Sequence, residues 1–315
     1  MQYLDFERSI KEVDTKIAKL SAGEKALLDK NKVEIKRLTH KKERLLALAY
    51  KKLTPWQKAQ IARHEDRPHT LDYIKTIFTN FEILCGDRSN AEDAAIIGGL
   101  AKLNDRTVMV IGTEKGHDID TRIIHNFGMA RPEGYRKAIR LMKLAEQFQI
   151  PVITLIDTAG AFPGVEAEAH GQGQAIASCI ETSLNLSVPI ISCIIGEGGS
   201  GGALALASAN RVLMLSNAIY SVISPEGCAS ILWKDFKYAK KACSILHLTA
   251  EDMMKFGIID ALIQEPIGGA HRFPEQTMQS VQEAISKQLS LFDNVKVQDL
   301  IAQRHQRFLF LKKAG

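Results

Sequence analysis

The first hydrophobic rhythm in the chain is helical. Phe6, Ile10, Val13, Ile17 and Leu20 recur at steps of four and three, the seam of an amphipathic helix. Ser21-Ala22-Gly23 breaks it. A second helix is expected from about Glu24 to Lys52, with Leu27, Leu38, Leu45 and Leu46 as apolar points and many lysines and arginines on the other face. The pair reads as a helical hairpin laid against the main body or a partner, since two helices bury little alone. Thr54-Pro55 opens another helix, a cap followed by proline at the first helical position. Thr70 is expected to cap one more, running through Phe78.

The period then shortens. Ala94 to Leu100 and Thr107 to Gly112 read as strands joined by Asn104-Asp105, and Lys115-Gly116-His117 follows. Pro132-Glu133-Gly134 opens a helix with Tyr135, Ile139, Met142, Ala145 and Phe148 inward. Pro151 to Ile156 is a continuous apolar run ending at Asp157, which predicts a strand buried on both faces. After it come the loop Thr158 to Gly164 and a helix from about Glu166 to Leu186. Val188 to Ile195 is a second such strand, followed by Gly196-Glu197-Gly198-Gly199-Ser200-Gly201-Gly202 and the helix formers Ala203 to Ala207. Short strands are expected at Arg211 to Leu215, Ala218 to Val222 and Gly257 to Ile263. Helices are expected to start at Ser224 and Thr249, with a last helical stretch from Pro274 to Leu311. Repeated strand–loop–helix units predict an α/β fold with a mostly parallel sheet.

The composition changes little in this picture. The 315 residues are 45% hydrophobic and 24% charged, enough for one large domain with an attachment, or for two. The net charge of +5, crowded into the first third, suits anionic small molecules or an acidic partner and does not by itself argue for nucleic acid. Five cysteines without a Cys-x-x-Cys pair suggest a reduced, cytoplasmic chain without a zinc ribbon. Asp5, Glu7 and Arg8 interrupt any signal peptide, and no apolar run reaches membrane-spanning length.

The glycine stretch is where chemistry is expected. A strand, a glycine turn and a helix N-terminus leave backbone N–H groups unpaired at the positive end of a dipole, and glycines let a ligand approach them. Three readings compete. Gly196-x-Gly198-x-x-Gly201 fits a dinucleotide fingerprint, but no acid closes the next strand. Gly198-x-Ser200-x-Gly202 fits a nucleophile elbow, with Asp260 and His271 following as in a serine hydrolase. The third is an oxyanion hole. Two strands end in glycine-bearing loops, at 157–164 and 196–202. If they run parallel, both loops lie on one side, as two amide sources aimed at one oxygen require. A non-catalytic scaffold with a basic hairpin is a further reading.

Gly196 to Ala205, Tyr220 to Lys234, Asn126-Phe127-Gly128-Met129 and Pro132 to Ala138 resemble the carboxyltransferase alpha subunits of multisubunit bacterial acetyl-CoA carboxylases. Leu4-Asp5-Phe6-Glu7, Arg63-His64, Arg67-Pro68 and Thr70-Leu71-Asp72-Tyr73 fit the same family, so the likeness covers nearly the whole chain. It implies a crotonase-like fold of repeated ββα units with an N-terminal helical hairpin and C-terminal helices. The divisions would be a hairpin segment at 1–53, a carboxyltransferase domain at 54–295 and a C-terminal helix at 296–315. It implies transfer of a carboxyl group from carboxybiotin to acetyl-CoA, giving malonyl-CoA for fatty acid synthesis. The biotin would be tethered to a biotin carboxyl carrier protein and not to this chain, and ATP would be used by the biotin carboxylase component. The implied partner is a zinc-ribbon beta subunit, in an α2β2 assembly that alone is active. No metal is expected in this chain, and no membrane or nucleic-acid partner.

In that frame Gly201 and Gly202 are the main oxyanion donors, with Gly160 and Ala161 as the second source. Gly198, Gly199, Lys115, Gly116 and Phe162 are placed against substrate, Lys115 through coenzyme A phosphates. The sequence departs from the family at Ala159 and Phe162, where Pro and Tyr are usual. It also departs at His117, Asp118, Ile119, Asp120 and His170, where more positive charge is usual.

Overall fold

The computed structural model describes residues 2–22 and 29–309. The N-terminal hairpin is α1 (Arg8–Leu20) and α2 (Asp29–Tyr50). Ile10 and Val13 of the predicted seam are buried, as are Leu38 and Leu46 on the facing helix; Leu27 lies outside the described residues. Next come α3 (Pro55–Ala62), α4 (Thr70–Ile77), β1 (Thr79–Ile83), β2 (Ile96–Leu103) and β3 (Arg106–Thr113). They lead through α5 (Ile119–Ile124) and α6 (Pro132–Gln147) to β4 (Val152–Thr158), α7 (Val165–Ala169) and α8 (Gln172–Asn185). The glycine segment joins β5 (Ile190–Gly199) to α9 (Ser200–Ala207). The rest is β6 (Arg211–Leu215), β7 (Ile219–Ser221), α10 (Pro225–Trp233), α11 (Ala239–Ile245), α12 (Ala250–Lys255), β8 (Ala261–Ile263), α13 (Pro274–Ser290) and α14 (Val297–Leu309).

The strands form one sheet in the order β1-β2-β3-β4-β5-β6-β8, with β7 pairing the far end of β5. β1, β2 and β3 are antiparallel, and β3 through β8 on the main path are parallel. The largely apolar runs at 152–156 and 190–195, broken only by Thr154 and Ser192, follow from cover on both faces: every residue of β4 is buried. α6, α8 and α9 pack together as one layer, while α4 and α13 pack together against the sheet as another.

Several boundaries differ from expectation for local reasons. Thr70 is not the cap of α4; His69 is the N-cap, its amide donating to Asp72 Oδ2 at 2.8 Å, while the Thr70 hydroxyl donates to the Thr113 carbonyl at 2.6 Å. Gly171, at φ 82°, splits the long helix expected at 166–186. The C-terminal helical stretch breaks at 291–296, where Phe292 turns into the core. β1 was not expected, because its residues are mostly exposed and a bulge follows Thr79. Thr54, Ser224 and Thr249 cap their helices as anticipated.

The hairpin is tied to the body by a buried carboxylate. Glu7, fully buried, accepts from Tyr50 Oη at 2.8 Å and from Arg272 Nη2 at 2.8 Å. A second buried pair closes the carboxyl ends of the strands. Arg67 and Glu265, both without side-chain exposure, form a two-pronged bridge at 2.8 and 3.1 Å. Arg67 Nε also donates to the Ile195 carbonyl, and Glu265 accepts from the Asn217 and Ala270 amides.

Candidate functional site

β4 and β5 run parallel, with Thr158 beside Gly198, so the two glycine-bearing loops emerge side by side. Their main chains touch. A Cβ on Gly199 would sit 2.1 Å from the Ala159 carbonyl oxygen, and one on Gly202 would sit 2.7 Å from the Ala161 nitrogen. Both distances are far inside van der Waals contact, so glycine is required at each for the loops to meet. Gly201 differs: a Cβ there would only touch Ile176 at 3.6 Å.

The amides of Gly201 and Gly202 lie in the first turn of α9, where a helix offers no carbonyl partner, and the N-cap Gly199 has no side chain to cap them. Across the contact, the Gly160 amide is already bonded to Thr158 Oγ1 at 3.1 Å. The Ala161 amide finds no acceptor among the described residues. Of the expected second source, Ala161 is therefore the half left open. Ser200 begins α9 at φ 49° and is exposed. The other partners of a serine-hydrolase reading are elsewhere. Asp260 is held by Arg211, Arg307 and the Val212 amide. His271 is buried and stacked on His64 at 4.1 Å.

Beneath the loops lies a buried charge network that sequence reasoning missed. Lys115 Nζ is 2.7 Å from both Asp157 Oδ1 and Glu197 Oε2. Arg63 bridges Glu197 at 2.6 Å and Glu226 at 2.8 Å. Asp157 also accepts from the Glu197 amide and faces His69 Nδ1 at 2.9 Å. Burial alone would raise the Asp157 pKa, but the Lys115 charge and the His69 bond outweigh it and hold the carboxyl well below its usual range. Glu197 behaves likewise: burial opposes ionisation, and Lys115 and Arg63 overcome it. Both carboxylates stay ionised at neutral pH and suit neither acid nor base duty. The signal for this network was in the chain: an acid ends a buried strand, with Gly196 opposite. A Cβ on Gly196 would meet the Asp157 carboxylate at 2.4 Å.

The remaining predicted residues have the following surroundings. Lys115, expected at a phosphate, is committed to two carboxylates. The Gly116 amide donates to Glu114 Oε1 at 2.8 Å, and its Cα abuts the Thr121–Arg122 backbone at φ 77°. Gly198 faces the Tyr220 ring. The Phe162 ring packs against Gly164 and under the Arg131 guanidinium at 4.9 Å. Beside Gly201 opens an apolar groove of about 440 Å³, walled by Leu204, Tyr220, Val222, Met253 and Phe308. On the other flank, Arg63, His64, His69, Lys115, Arg122 and Ala159 line a cleft of about 370 Å³. Among the described residues no His, Cys, Asp and Glu cluster could hold a metal, and no helix is long and apolar enough to cross a membrane.

The profile of the family described as acetyl co-enzyme A carboxylase carboxyltransferase-like matches residues 3–312. This chain belongs to that family. It is 54% identical to the acetyl-coenzyme A carboxylase carboxyl transferase subunit alpha of Paramagnetospirillum magneticum, over 100% of this chain and 99% of the relative. It is 52% identical to the protein of the same name from Zymomonas mobilis, over 98% of each. Among solved structures, a transcarboxylase 12S chain superposes with TM-score 0.58 at 18% identity, over 72% of this chain and 42% of that one. The beta subunit of P. aeruginosa geranyl-CoA carboxylase gives 0.56 at 16% identity, over 84% and 47%. The fold is thus that of the crotonase-like carboxyltransferases, and this chain spans less than half of each of those two larger chains.

Proposed function

We propose that this chain is the alpha half of an acetyl-CoA carboxylase carboxyltransferase, which with a zinc-ribbon beta subunit moves a carboxyl group from carboxybiotin to acetyl-CoA and yields malonyl-CoA. Carboxybiotin on its carrier protein enters as substrate; it supplies the carboxyl group and, once relieved of it, a basic ureido nitrogen that can take the acetyl proton. ATP is spent by the separate biotin carboxylase. The family's subunit names support the division of labour.

The observation that carries the reading is the main-chain contact between the two loops. It brings Gly202 against the 160–161 peptide, and an oxygen gaining charge at that corner would be met by the Gly201, Gly202 and Ala161 N–H groups and a helix dipole. Gly198, Gly199 and Gly160 shape that corner. Lys115, Asp157, Glu197 and Arg63 hold it rigid from below, and Gly116 and Phe162 close its sides. The apolar groove beside Gly201 suits an uncharged part of a ligand. Residues 54–295 would form the transferase domain, 1–53 a hairpin that fixes a partner, and 296–315 a closing helix.

The test is reconstitution. The chain mixed with its beta subunit, carboxylated carrier protein and acetyl-CoA should form malonyl-CoA, and the chain alone should form none. An intact complex that makes no malonyl-CoA would refute the assignment.

A further inference from the structure

One buried histidine in the cleft has half of its hydrogen bonding unaccounted for. His69 is the N-cap of α4, but its side chain does not cap. It is 4% exposed and turns to Asp157 instead, with Nδ1 2.9 Å from Oδ2. An ionised Asp157 can only accept, so Nδ1 carries a proton, and in the neutral ring Nε2 is left as the acceptor. Nε2 is buried and bonds nothing among the described residues. A buried polar atom without a partner costs about as much as a lost hydrogen bond, and proteins keep few of them. Seven such atoms occur among the described residues, and His69 Nε2 alone belongs to a residue lining this cleft.

The surroundings define what would complete it. The carboxylate of Asp157 fixes the ring's tautomer and orientation, as a carboxylate does for a working imidazole. His117 lies over the ring at 4.8 Å and is itself held by Asp72 at 2.8 Å. Lys115 is already committed to the two carboxylates. Arg122, half-buried in the same cleft, hydrogen-bonds among the described residues only through Nε, to the Gly116 carbonyl at 3.3 Å, which leaves its terminal nitrogens for a ligand. The cleft therefore pairs an oriented acceptor with a cation. The Ala159 wall connects it to the glycine corner, since Ala159, Arg63 and Glu197 also line the small hollow at Gly198 and Gly199.

We propose that His69 is a substrate-binding residue whose Nε2 accepts the N–H of an amide or ureido group seated in this cleft, while Arg122 meets the neighbouring carbonyl oxygen. This rests on the transferase reading for its choice of ligands. Two sources carry that chemistry there: the secondary amides of the pantetheine arm of coenzyme A and the ureido ring of biotin. Asp157 acts through His69 and is a positioning residue. No bond is made or broken at the imidazole.

The experiment uses the full chain with isotope-labelled histidines, titrated separately with pantetheine and with biotinyl-lysine. Free, His69 should show the Nδ1–H tautomer by NMR. One of the two ligands should move its Nε2 resonance, and which one names the source. In the reconstituted complex, His69→Phe keeps the ring's shape and stacking and loses the acceptor. It should raise KM for the matching substrate about 10-fold and leave kcat within about twofold, as loss of one ligand hydrogen bond predicts. His69→Gln, which restores an acceptor, should recover part of the loss. An Nε2 resonance unmoved by saturating amounts of both ligands, or unchanged KM values in His69→Phe, would overturn the proposal. The resonance reports binding without turnover. A wild-type complex that is inactive yet shows the shift therefore sinks the transferase reading and leaves this one standing.

Discussion

Gly201 and Gly202 stand side by side in one turn and have opposite tolerance. Gly202→Ala drives a methyl into the 160–161 peptide, and one loop must retreat. The expected outcome is a fall in kcat of ~10²–10³, the usual effect of losing an oxyanion donor, read in the reconstituted assay with the melting temperature as control. Gly201→Ala meets only the Ile176 side chain, so the chain should fold with equal or greater stability, by up to about 1 kcal/mol; a loss of stability would contradict the open space seen there. His271 makes a second prediction at this scale. Burial, then the neighbouring His64, Arg272 and Arg67, push its pKa down to about 2. The unfolded chain, with an imidazole near 6.5, binds that proton earlier. His271 thus contributes stability that is fully present above pH 6.5 and is lost as pH falls towards 2, by at most ~1.4 kcal/mol per unit. Denaturant melts between pH 7.5 and 5 should show this slope, and His271→Phe should flatten it.

At the scale of elements, the hairpin's attachment is more exposed to damage than its helices. Arg272→Leu leaves the Glu7 carboxylate buried beside the Tyr50 hydroxyl, a change that typically costs 3–5 kcal/mol when one partner of a buried pair is lost. Limited proteolysis should then cut first within residues 2–53; an unchanged digestion pattern would show that the helices hold by apolar packing alone. The elements also show what a sequence can convey. Strands β4 and β5 were plain, because burial on both faces demands largely apolar runs. The helix seam of α1 was plain for the matching reason. Glycine corners were legible as corners, yet their partners were not. That Gly196 yields to Asp157, and Gly199 to Ala159, depends on strand register, which local pattern does not encode. The partners of Lys115 were hidden for the same cause: a lysine after a strand looks solvent-facing until two carboxylates from β4 and β5 are brought under it.

For the whole molecule, the glycine corner is one of several places where distant segments are tied at the carboxyl edge of the sheet. Arg67 reaches Ile195 and Glu265, and Glu265 in turn gathers Asn217 and Ala270. Arg63, from the end of α3, reaches Glu197 beside the glycine turn. The basic N-terminal third therefore does more than decorate the surface. The family resemblance pointed to Arg63, His64 and Arg67 without a reason, and the geometry supplies one: Arg63 and Arg67 brace the end of β5, from which the glycine turn springs, and His64 stacks on His271 behind them.

The contact between Gly202 and the 160–161 peptide has a further consequence. Backbone pressed on backbone leaves no rotamer to swing aside, so the two loops form a single jaw of fixed gape. In the proposed pairing with a beta subunit, the size of acyl group admitted would then be decided by the subunit that closes over this one, and mutations that retune it should map to that other chain.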